Sequence, residues 1–193
     1  AKTTAPAGQK MQVVMLPAAD IEPNPKNSIY EIGDVSMLQA DIAERGLRSP
    51  LEVLPAQNGK YMLLAGHRRW TACRALTAEG VTGFEVLPCV IHQSQGEDDD
   101  LIALITSNAT ARELTDGERL RQYIALKQAL ERKKAAGSLG GRVRDEMSRI
   151  TGDGTGTLGR LNAIANNCVP EVLEMVERGE ITMTRAYECS KLY

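Results

Sequence analysis

The apolar positions recur with a strand-like period in some segments and a helical one in others. MQVVML near the start predicts a short strand, and Pro23 and Pro25 exclude helix from the DIEPNPKN segment that follows. In DVSMLQADIAERG, Val35, Leu38 and Ile42 fall on one helical face, and Gly46 supplies the stop. SPLEVLP and KYMLLA predict two strands joined at an Asn58-Gly59 turn, a hairpin. GHRRWTACRALTAEG predicts a helix ending at Gly80. FEVLPCVIH predicts a further strand, in which Pro88 favours a sheet edge or a bulge. The acids Glu97, Asp98, Asp99 and Asp100 open the next helix, DLIALITSNATAR, where negative charge suits the helix dipole.

Beyond residue 112 the period is helical throughout. Thr115 and Glu118 have capping-box spacing ahead of the long helix ERLRQYIALKQALERKK, and GSLGG breaks it. VRDEMSRI predicts a short helix, TGDGTG a glycine-rich turn, and TLGRLNAIANN another helix. Pro170 opens EVLEMVERG, and TMTRAYECSKLY predicts helix to the last residue. The fold class is therefore α+β: a small mixed-sheet domain followed by an all-helical one. The divisions are a flexible tail over 1–10, a domain over 11–110 and a helical domain over 111–193, with the junction near 107–114.

Composition narrows the classes. The 193 residues are 42% hydrophobic and 25% charged, which excludes a collagen, an extended disordered chain and a disulfide scaffold. No apolar run reaches the roughly 18 residues that span a bilayer. Cys73, Cys89, Cys168 and Cys189 lie far apart with no Cys-x-x-Cys pair, a pattern suited to reduced thiols in a cytoplasm. The net charge of −2 hides an asymmetry. Residues 1–109 carry 9 basic against 13 acidic side chains, whereas residues 110–193 carry 14 against 12. Within 132–160 the balance is 7 against 3, a modest pointer to a polyanionic partner that a solvated helical face explains as well.

Three segments could carry chemistry. In LLAGHRRWTA a strand runs into Gly66, and a helix starts at once with His67, Arg68 and Arg69. Free helix-start N–H groups and two guanidinium forks make an anion seat, and no Walker A sequence exists in the chain. An ordinary glycine entry to a helix explains the spacing equally well. Asn108 and Arg112, four apart, share a helical face. Arg112 could add a phosphate contact and Asn108 could orient a ligand oxygen or a metal-bound water; capping and a surface ion pair are the plainer roles. The third segment, about 142–167, has the form of a helix-turn-helix. Leu158, Leu161 and Ile164 face inward. Thr155, Thr157 and Arg160 lie where such motifs read bases, while Arg142, Arg144 and Arg149 could hold phosphates. A helical hairpin that binds nothing has the same pattern. His67 and His92 have no ligand cluster around them, and Trp70, Tyr61 and Cys73 suit a core.

In order, LPAADIEPNP, LQADIAERGLRSPLEVL, AGHRRWTACRAL, NATAREL and EVLEMVERGEITMTRAYECSKL resemble the ParB family of plasmid and chromosome partition proteins. The likeness runs over roughly 13–192. It implies a ParB/sulfiredoxin-like first domain that binds CTP with Mg²⁺, and a second domain that recognises a palindromic centromere-like site in double-stranded DNA. It also implies a cytoplasmic homodimer that closes as a clamp and a ParA-type ATPase as partner. By motif position, Gly66, His67, Arg68 and Arg69 match the family's phosphate segment. Asn108 and Arg112 approximate its second motif, with Asn108 nearest the metal. Gly46, Ser49 and Pro50 match the loop near the cytosine.

This chain departs from the family pattern in three places. His67 replaces a glutamate, Ser107 stands where another would be, and Asn108 to Arg112 is one residue longer than usual. Losing the second glutamate removes the group that would orient a water, so CTP binding without turnover is the alternative to a weak CTPase. A ParB-like transcriptional regulator that binds DNA without turnover is the competing function. A sulfiredoxin-like enzyme would need a cysteine where Gly66 stands, and a nuclease would need clustered carboxylates beside a basic patch.

Overall fold

The computed structural model describes residues 12–56, 59–109 and 113–192, so the tail over 1–10, Asn58 of the turn and Arg112 lie outside the described residues. The structure is α+β and falls into two compact units. One comprises the residues up to Asn24 together with Ile32–Ser94; the other comprises Pro25–Glu31 and Gln95–Tyr193.

The first unit contains strands β1 (Val13–Pro17), β2 (Ile21–Glu22), β3 (Leu51–Pro55), β4 (Tyr61–Ala65) and β5 (Val86–Ile91), with helices α1 (Ser36–Arg45) and α2 (His67–Ala78). The strands form one mixed sheet in the order β1-β5-β3-β4-β2. β1–β5 and β3–β4 are antiparallel; β3–β5 and β2–β4 are parallel. Leu16, Val53, Leu63, Leu87 and Cys89 from the strands pack with Ile42 of α1 and with Trp70, Cys73 and Leu76 of α2 in one buried cluster. Burying each large apolar side chain contributes about 1.5–3 kcal/mol. Gly46, at φ 73°, ends α1 as its position predicts, its N–H donating to the Ile42 carbonyl at 2.8 Å.

Two expectations need correction here. β5 is an interior strand, flanked by β1 and β3, so Pro88 does not mark an edge. Pro88 lies opposite Met15 on β1, and pairing with β3 begins one residue later, at Cys89. Proline is thus tolerated where only one neighbour is paired. The segment around Pro23 and Pro25 is also not free of helix: 3₁₀ turns span Ala18–Asp20 and Pro25–Ile29. Pro25 starts the second of them, where its fixed φ and missing N–H do no harm.

The second unit is built on α4 (Asp116–Ala135), against which α3 (Glu97–Ala109), α5 (Val143–Thr151), α6 (Thr155–Asn167) and α7 (Pro170–Glu177) pack. The capping box is formed: Thr115 accepts from the Glu118 N–H, and the Glu118 carboxylate accepts from the Thr115 N–H. Glu118 is fully buried and also accepts from the Glu31 N–H at 2.7 Å. Packing of α3 against α4 and α5 places α3 in this unit, 16 residues ahead of the 110/111 division. α6 starts two residues earlier than the pattern suggested, leaving a turn of only Gly152, Asp153 and Gly154. The last helix, α8 (Met183–Cys189), stops at Cys189 instead of running to the end. Among the described residues no helix is long and apolar enough to cross a membrane.

Candidate functional site

Gly66 joins β4 to α2 with φ 97° and ψ 21°, the left-handed region that glycine enters freely. No side chain caps this helix start, and its first turn carries no acid. The first N–H groups of α2 have no carbonyl within the helix to bond. Beside them, the Arg69 guanidinium folds over Gly66: a Cβ added to Gly66 would lie 3.1 Å from Arg69 Nη2.

Arg69 Nη1 donates to the Ser49 and Pro50 carbonyls, both at 2.7 Å. This ties the loop between α1 and β3 to the start of α2, so Gly66, Arg69, Ser49 and Pro50 form one cluster. Gly46 lies at the head of the same loop. Arg68 is exposed, and its Nη2 donates to the Asp34 carbonyl at 2.7 Å. Asp34 stands just ahead of α1. Its carboxylate accepts from Ser36 N at 2.9 Å and Ser36 Oγ at 2.6 Å, and these bonds hold its pKa below the usual carboxylate value.

His67 faces the other way. It is buried, and its Nε2 accepts from the Asn24 N–H at 3.3 Å. Burial holds the imidazole pKa down at about 4. His67 therefore offers an anion only its backbone N–H. The unfolded chain, with an ordinary imidazole near 6.5, takes up a proton where the folded chain does not. The resulting stabilisation, about 3 kcal/mol, is complete above pH 6.5 and is expected to drain away as pH falls toward 4. Chemical unfolding between pH 7 and 4 checks this, with His67→Gln flattening the profile; an equally steep profile in that variant would assign the loss to other groups.

The remaining predicted residues belong to the second unit. Asn108, on α3, is half-buried, and its amide donates to the Leu104 carbonyl at 2.9 Å. Ser107 Oγ bonds the same carbonyl at 2.8 Å. Among the described residues no three His, Cys, Asp or Glu side chains form a group able to hold a metal. Leu158, Leu161 and Ile164 are buried with Met147 and Ile150. Thr155 and Arg160 are exposed at the start of α6, and Thr157 is half-buried. Gly152, at φ 75°, caps α5, and Ser148 Oγ donates to the Asp153 carbonyl at 2.8 Å across the turn. Arg142 and Arg144 are exposed, whereas Arg149 is paired with Glu146 at 2.5 Å.

These features define a mixed-sheet domain with an uncapped, arginine-bearing helix start, followed by helices. The family profile of the ParB N-terminal domain matches residues 2–108, and the chain belongs to that family. It is 33% identical over 176 residues to the chromosome-partitioning protein Spo0J of Thermus thermophilus, covering 90% of this chain and 58% of that protein. A nucleoid occlusion protein of Geobacillus sp. is 28% identical over 120 residues, 61% of this chain and 40% of that one. The chain thus spans little more than half the length of these relatives, or less. Among solved structures, a Pnob8-like ParB-N domain superposes with a TM-score of 0.66 at 14% identity, over 91% of this chain and 78% of that one. That likeness is one of fold.

Proposed function

We propose that the chain is the nucleotide- and DNA-binding part of a partition protein, with CTP and Mg²⁺ bound at the Gly66–Arg69 seat and double-stranded DNA bound by α5 and α6. The observation that carries the reading is the uncapped start of α2, acid-free, with Arg69 clamping the Ser49–Pro50 loop over it. Backbone N–H groups and a guanidinium converging on one point suit a triphosphate. The Gly46–Pro50 loop is then in place to meet the base. By motif position alone, Asn108 and Arg112 are proposed as further nucleotide-binding residues. Among the described residues no cluster of His, Cys, Asp or Glu could hold Mg²⁺, so the nucleotide's own phosphates would hold it for the most part.

The second half of the reading rests on α5, a three-residue turn and α6, within the turn length typical of DNA-binding helix pairs. Thr155, Thr157 and Arg160 at the start of α6 would face the duplex. Arg142 and Arg144 are exposed for phosphates, and Arg149 reaches them only by leaving Glu146. A homodimer, a palindromic site and a ParA-type ATPase belong to the same proposal.

Binding without turnover is the form of the activity that the side chains favour. His67, where the resemblance implies a glutamate, is turned into the core and bonded to Asn24, and Ser107 bonds the helix backbone. Neither is placed to orient a water. A sulfiredoxin-like reaction is disfavoured on similar grounds: burial pushes the Cys73 thiol up to about 11, which leaves little thiolate at neutral pH.

Calorimetric titration with CTP, ATP and GTP in the presence of Mg²⁺, with a phosphate-release assay alongside, tests the reading. CTP alone is expected to bind, without release of phosphate. Arg68→Ala, at an exposed position, should weaken CTP binding roughly ten-fold or more through loss of a charge-assisted bond, leaving duplex binding by the nucleotide-free protein unchanged. Equal binding of all three nucleotides, or of CTP to the variant, would overturn it.

A further inference from the structure

A cavity of about 380 Å³ opens in the second unit beside the start of α6. Arg119 of α4, Thr157 and Arg160 of α6, Thr184 and Tyr187 of α8, and Lys191 line it. The Arg160 guanidinium stands 5.8 Å from the centroid of the Tyr187 ring, and Lys191 Nζ stands 4.4 Å from the same centroid. An aromatic ring attracts a cation over its face. Both cations therefore lie close to the same ring at the wall of the cavity. An anion in the cavity that they line is attracted by both.

Other features of the cavity favour an anion as well. Arg119 adds a third positive group, loosely engaged with Asp153 at 3.6 Å. α6 follows Gly154 with no side-chain cap and no acid in its first turn, which leaves N–H groups at that end for a ligand or water. Two acids also line the cavity. Asp116 is occupied, its carboxylate accepting from the Met183 N–H at 2.7 Å, and Glu188 is exposed to solvent.

We propose that this cavity seats a backbone phosphate of duplex DNA, so that Arg160, held by Tyr187, grips phosphate instead of reading bases. The inference rests on the DNA-binding reading above and names the part of the duplex that this corner meets. The Arg160 guanidinium, 5.8 Å from the Tyr187 ring centroid, is turned toward α8, whereas Thr155 stands exposed at the start of α6. Phosphate contacts contribute affinity that falls with salt and carries no sequence choice.

The test is anisotropy with a labelled mixed-sequence duplex over a salt series, paired with selection from a random-sequence duplex pool. Wild type, Arg160→Ala, Lys191→Ala and Tyr187→Leu are compared, each checked for folding by circular dichroism. Arg160→Ala and Lys191→Ala are expected to weaken binding roughly ten-fold at low salt and to flatten the salt slope by about one, while the selected sequences stay the same. Tyr187→Leu should weaken binding with a smaller change in slope. If it does not fold, the two exposed cations carry the test. Relaxed sequence selection by Arg160→Ala at unchanged slope would make it a base reader and sink the assignment, as would undiminished binding by Arg160→Ala and Lys191→Ala. Failure of the wild type to bind any duplex would instead bring down the DNA-binding reading itself.

Discussion

Gly117→Ala is expected to destabilise the helical unit by about 3 kcal/mol, although alanine is the better helix former by about 1 kcal/mol. Gly117 is buried in the first turn of α4 with ordinary helical geometry. A Cβ there would lie 2.8 Å from both Cα and the carbonyl oxygen of Glu177, at the end of α7. Those are backbone atoms, which no rotamer change can move aside, so α7 would have to shift away from α4. Overpacking of this kind typically costs about 1–3 kcal/mol, and a rigid neighbour puts the site at the upper end. Denaturant unfolding followed by helical circular dichroism measures it. Gly159→Ala, where a Cβ meets open space within α6, is the control and should be neutral or slightly stabilising. A neutral Gly117→Ala would mean that α7 gives way easily.

Gly66→Ala is expected to cost a similar amount in the first unit, for a different reason. At φ 97° an L-residue is strained by about 1–2 kcal/mol. The new methyl would also stand 2.7 Å from Leu51 Cδ2, and Leu51 is fully buried, so its side chain would have to shift within the core. Arg69, 3.1–3.3 Å away, would be pushed from Gly66 and strained against the Ser49 and Pro50 carbonyls. The variant should therefore lose both stability and the proposed CTP binding, while duplex binding by the second unit persists. Unfolding curves and the calorimetric titration read the two effects separately. Full stability with intact nucleotide binding would show that the turn can rearrange.

Much of the fold was legible because its signals are local. The Thr115–Glu118 capping box, Gly46 after α1 and the buried Leu158–Leu161–Ile164 face each depend on residues within a turn or two. Pro88 was misjudged because whether a strand is an edge depends on the strands beside it, here β1 and β3, more than thirty residues away in sequence. The short β2 left no period to read. In the candidate site, the resemblance located the Gly66–Arg69 segment, but the directions of its side chains were hidden. Nothing in HRRW tells that His67 turns inward to Asn24, or that Arg69 reaches back to Ser49 and Pro50. Tyr187, which stands under Arg160, lies 27 residues beyond it and read only as part of a helix.

The sequence by itself determined most of the helices and the longer strands, the α+β class, and which segment could present N–H groups and guanidinium forks to an anion. Periodicity, caps and glycine conformations act over a few residues, so they are written into neighbouring letters. Tertiary structure alone decided which of those groups remain available. It spent the His67 ring and one Arg69 nitrogen on holding the backbone, and brought Arg160 to the aromatic ring that Lys191 also approaches. The physical reason is that hydrogen bonds and charge contacts act over a few ångströms in space, and only folding sets which distant residues come that close.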